Sequence, residues 1–371
     1  MAAEYRVRGL LRNAHLQTVL PNFPPWRTRT RWRARALRRG ATRWLLDCGD
    51  GVRLEAWHTP TAARAGAGAG AGAGVDADAH APCAVLLHGW EGSVDSCYLL
   101  SLGSTLLAAG YQVLRLHLRD HGGTQSLNEG LFHSCRLDDV TGALRAIAAR
   151  LPGVPLCLAG FSLGGNFMLR AAAEPGLPRS VAGVVAISPV LHPERAMLAL
   201  EQGWFAYERY FVRRWQRSLR GKELAWPGRY SFDPLVSDPR LRPMTDVLVR
   251  TYAGFATMQA YLEGYAITGA RLLTLGVPAG VLLADDDPII PVDDHEHLAR
   301  TPWLEVLRTA HGGHCGFLED WRGNSYADRF VLARFARYLR ASSPDATASA
   351  GAQAGLAADQ EDSGSAAASA R

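Results

Sequence analysis

An α/β fold, a mostly parallel central sheet with helices on both faces, is predicted by three observations on this 371-residue chain. Short apolar runs alternate with stretches of helical periodicity. A turn of small residues, Gly160-Phe161-Ser162-Leu163-Gly164, joins one such run to one such stretch. Loops bearing acids and then histidines follow the last two apolar runs. Apolar runs of this length suit strands buried on both faces, and helices between strands let neighbours run parallel.

The strands are read at Cys83–Leu87, 112–118, 154–160, 182–188, 277–284 and 304–307. The helices between and after them are read at 96–109, 136–150, Leu163–Ala173, 295–300 and 327–340. In 136–150, Leu137, Val140, Leu144 and Ile147 share one helical face. Residues 191–268 interrupt the rhythm with far more than a short linker. Trp204, Tyr207, Phe211 and Trp215 fall near one face of a helix there. This reads as a helical insertion, either a lid over an apolar site or helices packed for stability alone.

The formal net charge is +5, and the excess is local: residues 26–43 hold eight arginines and no acid. Such a stretch could bind nucleic acid or an anionic membrane. Its arginines alternate with Trp, Ala and Leu at a period of two, which predicts a strand with one solvated face. The Asp-Cys-Gly-Asp-Gly turn at 47–51 and the alternating VRLEAWH then complete a predicted β-hairpin over 26–60. The Gly/Ala-rich stretch 62–80 reads as a flexible loop and 342–371 as a disordered tail, leaving 1–341 as a single domain.

Hydrophobic residues make up 48% of the chain and no apolar run reaches the ~20 residues needed to span a bilayer. The start lacks a secretory pattern, so a cytoplasmic protein is expected, at most in weak peripheral contact with a membrane. The six cysteines show no metal-ligand spacing, and reduced thiols are expected.

The chemistry centres on Ser162. A strand running into G-x-S-x-G and on into a helix is the nucleophile elbow of the α/β-hydrolase fold. Small residues flank the serine because backbone presses close there. A serine nucleophile needs a base, and the base an orienting acid, in the chain order Ser, Asp, His. Asp285-Asp286-Asp287 ends the run 277–284. Asp287, with Pro291 four residues on, is the expected acid and Asp286 the fallback. His311-Gly312-Gly313-His314 follows the run 304–307. His314 is the expected base and His311 the runner-up. The N–H groups of Leu163 and Trp90 are the expected oxyanion hole, Trp90 lying in His88-Gly89-Trp90-Glu91-Gly92 just past a strand. His88 is read as structural. The acidic and histidine cluster 293–297 reads as a polar helix cap rather than a metal site. The pair His133 and Asp138, an H-x-x-x-x-D spacing, reads as chance. No cofactor and no metal are expected.

The chain resembles the YheT-like branch of α/β-hydrolases from about residue 13 to 339. The resemblance rests on Asn13-Ala14-His15-Leu16-Gln17-Thr18, His88-Gly89-Trp90-Glu91-Gly92-Ser93, His117-Leu118-Arg119-Asp120, Phe132-His133-Ser134, 160–166, Asp286-Asp287-Pro288 and 311–317. It implies carboxylesterase or acylglycerol lipase activity on a small-molecule ester or lipid, without cofactor or nucleic acid, and supports Ser162, Asp287 and His314. Trp90, Asp120-His121-Gly122-Gly123 and Cys135 depart from the branch. Trp90 should restrict acyl length and favour short chains, against which the aromatic insertion could accommodate a long one. The alternatives are an acyltransferase or thioesterase with the same triad, and a membrane-peripheral lipid-binding protein with little catalysis.

Overall fold

A computed structural model describes residues 4–61 and 80–342. Most of the expected loop at 62–80 and nearly all of the expected tail at 342–371 lie outside the described residues. The chain starts with three short helices, α1 (Ala14–Val19), α2 (Trp26–Arg33) and α3 (Arg35–Arg39). Strands β1 (Thr42–Asp47) and β2 (Arg53–Thr59) form an antiparallel hairpin. Then come β3 (Cys83–Leu87), α4 (Cys97–Ala108), β4 (Gln112–Leu116), α5 (Leu137–Arg150), β5 (Leu156–Phe161), α6 (Leu163–Ala173) and β6 (Val181–Ile187). Five helices follow: α7 (Pro193–Gln202), α8 (Phe205–Ala225), α9 (Asp233–Ser237), α10 (Leu241–Thr251) and α11 (Met258–Gly264). Strands β7 (Ala279–Ala284) and β8 (Leu304–Thr309) and helix α12 (Tyr326–Ala341) finish the domain.

The eight strands form one sheet in the order β1-β2-β4-β3-β5-β6-β7-β8. From β4 to β8 every pairing is parallel; the hairpin joins antiparallel at β2. Every residue of β3, β5, β6 and β7 is buried. Their unbroken apolar runs therefore report burial on both faces. Edge strand β8 keeps polar residues, and its Glu305 pairs with Arg334 and Arg337 of α12. The expected class holds.

The basic segment 26–39 departs from expectation. It forms helices α2 and α3, and the hairpin is confined to Thr42–Thr59. Arg, Ala and Leu are strong helix formers, and an alternation built from them carries little strand preference. Ala34 and Leu37, three apart, share the buried face. Leu37 seats over Gly103 of α4, where a Cβ would lie 2.8 Å from its Cδ2. The expected helix 295–300 is instead a 3-10 turn at Val292–His297. Buried Asp294 accepts from Arg195 at 2.6 Å there, and His295 Nδ1 closes on the Val292 carbonyl at 2.7 Å.

The helical insertion is stapled to the sheet at both stems. The Ile267 N–H donates to the Leu191 carbonyl, and Asn166 of α6 donates to the carbonyls of Val190 and Tyr265. A third tie is ionic: fully buried Lys222 of α8 reaches Asp120, beyond β4, at 2.8 Å. Breaking one partner of such a pair leaves a buried charge and typically costs about 3–5 kcal/mol.

Helix α12 carries a buried acid. Burial pushes the Asp328 carboxyl up to about 7, against hydrogen bonds from Ser101 and Thr105 of α4 that lower it. The folded state therefore holds a proton that the unfolded chain releases near pH 4. Its contribution to stability is complete below pH 4 and is lost as pH rises through 7. At about 1.4 kcal/mol per unit this amounts to a few kcal/mol. Asp328→Asn should flatten that slope, raising Tm at pH 8 more than at pH 5. Equal shifts at the two pH values would show that the carboxyl is ionised throughout.

Candidate active site

The turn from β5 to α6 forces Ser162 to φ 51°, ψ −121°, which costs a non-glycine residue about 1–3 kcal/mol. Neighbouring contacts enforce it. The Ser162 N–H donates to the Ile187 carbonyl on β6 at 2.9 Å, and its own carbonyl accepts from Asn166. A Cβ at Gly160 would overlap the Gly164 backbone, and one at Gly164 the carbonyls of Leu87 and His88. The small flanking residues are thus required by main chain on both sides.

Asp287 lies just beyond β7. Its Oδ1 accepts from the N–H groups of Ile289 and Ile290 at 2.9 and 3.0 Å. Its Oδ2 lies 3.0 Å from His314 Nδ1, with the two side chains only 1% and 10% exposed. The carboxylate accepts, so the proton sits on Nδ1 and Nε2 is left as the ring's acceptor. Burial pushes the His314 imidazole down, but the adjacent Asp287 carboxylate outweighs it and holds the ring well above 6.5.

Asp286 and His311 are placed differently. Asp286 accepts from the Gly313 N–H at 2.9 Å and lies 3.4 Å from His311 Nδ1, whose other nitrogen accepts from Arg12 at 3.0 Å. That pair clasps the histidine loop, whereas Asp287 addresses His314. The histidine loop reaches the elbow through a shared acceptor: the Cys315 thiol points to the same Ile187 carbonyl, at 3.9 Å, that receives the Ser162 N–H.

Leu163 opens α6, so its N–H has no carbonyl one turn back. Gly89 presses against the elbow, and a Cβ there would lie 3.1 Å from Ser162 Cβ. This brings the loop bearing Trp90 alongside the serine. His88 is fully buried, its Nδ1 2.7 Å from the Gly89 carbonyl while Nε2 accepts from the Leu118 N–H at 3.2 Å. Burial, with His121 and His117 beside it, holds this ring neutral, its titration far below 6.5. It shapes the loop and has no acid–base part.

A cavity of about 110 Å³ opens at Ser162, walled mostly by apolar side chains of the insertion, among them Met197, Phe211, Trp215 and Leu248. Trp90 stacks on Phe211 at 5.4 Å and 9°, and meets Trp215 edge-on. The insertion therefore builds the site as well as packing the fold. His133 lines the same cavity, but Asp138 is exposed on α5, so the H-x-x-x-x-D spacing is not assembled.

Sequence reasoning assigned no role to the segment 13–18. In the structure α1 supports the histidine loop. Thr18 Oγ1 accepts the His314 N–H at 2.9 Å. Buried Gln17 exchanges hydrogen bonds with the Leu318 N–H and carbonyl. Gly313 and Gly316 are required there, since a Cβ at either would overlap the α1 backbone. The only signal was the motif itself.

The model of the α/β hydrolase fold family matches residues 85–320. The chain belongs to this family. A relative named "Putative esterase YheT", from Escherichia coli (strain K12), is 27% identical over 82% of this chain and 84% of its own length. Phospholipase ABHD3 of Mus musculus is 25% identical over 70% of this chain, which spans 64% of that relative. The pimeloyl-[acyl-carrier protein] methyl ester esterase of Stenotrophomonas maltophilia (strain K279a) is 30% identical over 71% of this chain and 95% of its own. A solved bacterial membrane phospholipase A superposes with a TM-score of 0.50 at 20% identity, over 88% of this chain and 92% of that one, a likeness of fold. The chain is a YheT-like α/β-hydrolase and a carboxylic ester hydrolase. Among the described residues no helix is long and apolar enough to cross a membrane.

Proposed function

We propose that this hydrolase is a serine carboxylesterase acting through Ser162, His314 and Asp287, with small-molecule carboxylic esters or monoacylglycerol-type lipids as substrates. The Asp287–His314 pair, on a loop whose Cys315 shares the Ile187 carbonyl with the N–H of a serine held at positive φ, carries the reading. His314 Nε2 takes the Ser162 proton as Oγ attacks the ester carbonyl. Asp287 keeps the imidazole in the accepting tautomer and stabilises the imidazolium. The N–H groups of Leu163 and Trp90 hold the oxyanion, each such donor typically worth about 3–4 kcal/mol. His314 then protonates the leaving alcohol, and water resolves the acyl-enzyme by the same steps. The scheme calls on no cofactor.

A fluorophosphonate probe tests the mechanism. The expected result is a single covalent adduct on the peptide bearing Ser162, blocked by prior incubation with p-nitrophenyl butyrate. Full ester hydrolysis by a protein that the probe labels elsewhere, or not at all, would overturn it.

The cavity size points to short acyl chains. An apolar cavity of ~150 Å³ accommodates benzene, so about 110 Å³ holds only a few methylenes. Trp90 and its stacked partner Phe211 close one side. Across p-nitrophenyl esters from acetate to palmitate, the wild type should prefer the short end. Trp90→Leu should raise the decanoate-to-butyrate ratio of kcat/KM by roughly tenfold. An unchanged profile would remove Trp90 as the determinant of chain length.

A further inference from the structure

Helix α8 has two working faces. The inward one carries Phe211 and Trp215 to the cavity and Lys222 to its buried partner. The outward one is a stripe of Phe205, Arg209, Arg213, Arg217, Arg220 and Leu224 at successive three- and four-residue steps, with Tyr210 beside it. Phe205 is 69% exposed, Tyr210 50% and Leu224 81%, and exposed Trp204 precedes them. Arg209, Arg213, Arg217 and Arg220 have no ion pair among the described residues. The two acids of the helix are occupied elsewhere: Glu208 accepts from the Leu241 N–H and Glu223 from that of Phe232.

Four unanswered guanidinium groups on one stripe call for a surface rich in negative charge. Large apolar and aromatic side chains interleaved with them call for a surface whose charges sit over hydrocarbon. An acidic protein meets the first demand alone; an anionic bilayer meets both. We propose that the outer face of α8 docks on an anionic lipid interface. Docking sets the back of the helix that walls the cavity against the lipid, the phase into which ester substrates partition. Only that last step rests on Ser162 as the nucleophile.

The test is sedimentation of the full chain with vesicles of phosphatidylcholine, alone or equimolar with phosphatidylglycerol. Wild type should bind the anionic vesicles, release with rising salt, and bind the neutral ones at least tenfold more weakly. The Arg213→Glu/Arg217→Glu variant should lose at least about tenfold of this binding. Phe205→Ser/Leu224→Ser should weaken what remains at high salt. Both should hydrolyse a soluble short ester at the wild-type rate, which verifies their fold. Ser162→Ala should bind vesicles as wild type does, so this proposal and the nucleophile assignment fail separately. Wild type that ignores phosphatidylglycerol overturns the proposal, as does undiminished binding by the Arg213→Glu/Arg217→Glu variant.

Discussion

Alanine at position 162 is expected to lower kcat for p-nitrophenyl butyrate by about 10⁴–10⁶-fold while leaving the thermal midpoint nearly unchanged. The backbone holds the elbow. The Ser162 N–H to Ile187, and the Asn166 N–H to the Ser162 carbonyl, survive the change. Alanine meets the same positive φ as serine, so the strain is the same in both proteins. What disappears is the oxygen proposed to attack. Residual turnover of about 10³–10⁴ over water would come from oxyanion stabilisation and binding. Activity within tenfold of wild type, in protein free of wild-type contamination, would place the nucleophile elsewhere.

Asp287→Asn should be the second most damaging change, with kcat lower by about 10⁴-fold. The local geometry says why. Two backbone N–H groups, from Ile289 and Ile290, fix an acceptor at the Oδ1 position. An asparagine must therefore keep its oxygen there and turn its NH₂ towards His314 Nδ1. A donor at that point forces the neutral ring to carry its proton on Nε2, the tautomer that cannot take one from serine. A pH profile gives a second readout. In the wild type Asp287 holds the His314 imidazole well above 6.5, so kcat/KM should fall as pH drops through a midpoint above 6.5. Below that midpoint the ring is already protonated. In Asp287→Asn the midpoint should move down, because burial then acts without the carboxylate. Asp286→Asn should cost only about tenfold, since Asp286 clasps Gly313 and His311 rather than the base. Equal losses for the two aspartates would undo the distinction drawn between them.

The sheet was legible in the sequence because its central strands are buried on both faces, so apolar runs alone marked them. Ser162, Asp287 and His314 were legible as candidates because each follows such a run, and the structure brings the last two into contact. Segment 26–39 was misread because arginine every second residue looks like a strand, whereas Ala34 and Leu37 set a helical face only in the presence of α4. The service of 13–18 to the histidine loop was invisible for a different reason: its partners lie about 300 residues away, and local pattern cannot report such a contact. Lys222 was unremarkable within a basic helix until Asp120 was seen against it.

The hydrogen bond between Thr18 and the His314 backbone joins positions 296 residues apart. At about 5–20 residues per second, the ribosome takes roughly 15–60 s to bring the second partner into existence after the first. In the later part of that interval, once Ile187 has been made, the Ser162 elbow can form, but the loop proposed to activate it has neither been made nor been given its support. A nascent chain of this protein is therefore expected to be inert towards esters until synthesis has passed residue 318, where Gln17 finds its own partner. Ribosome-bound chains arrested before and after that point would differ in their labelling by an activity probe. The enzyme would acquire its chemistry late in its own synthesis.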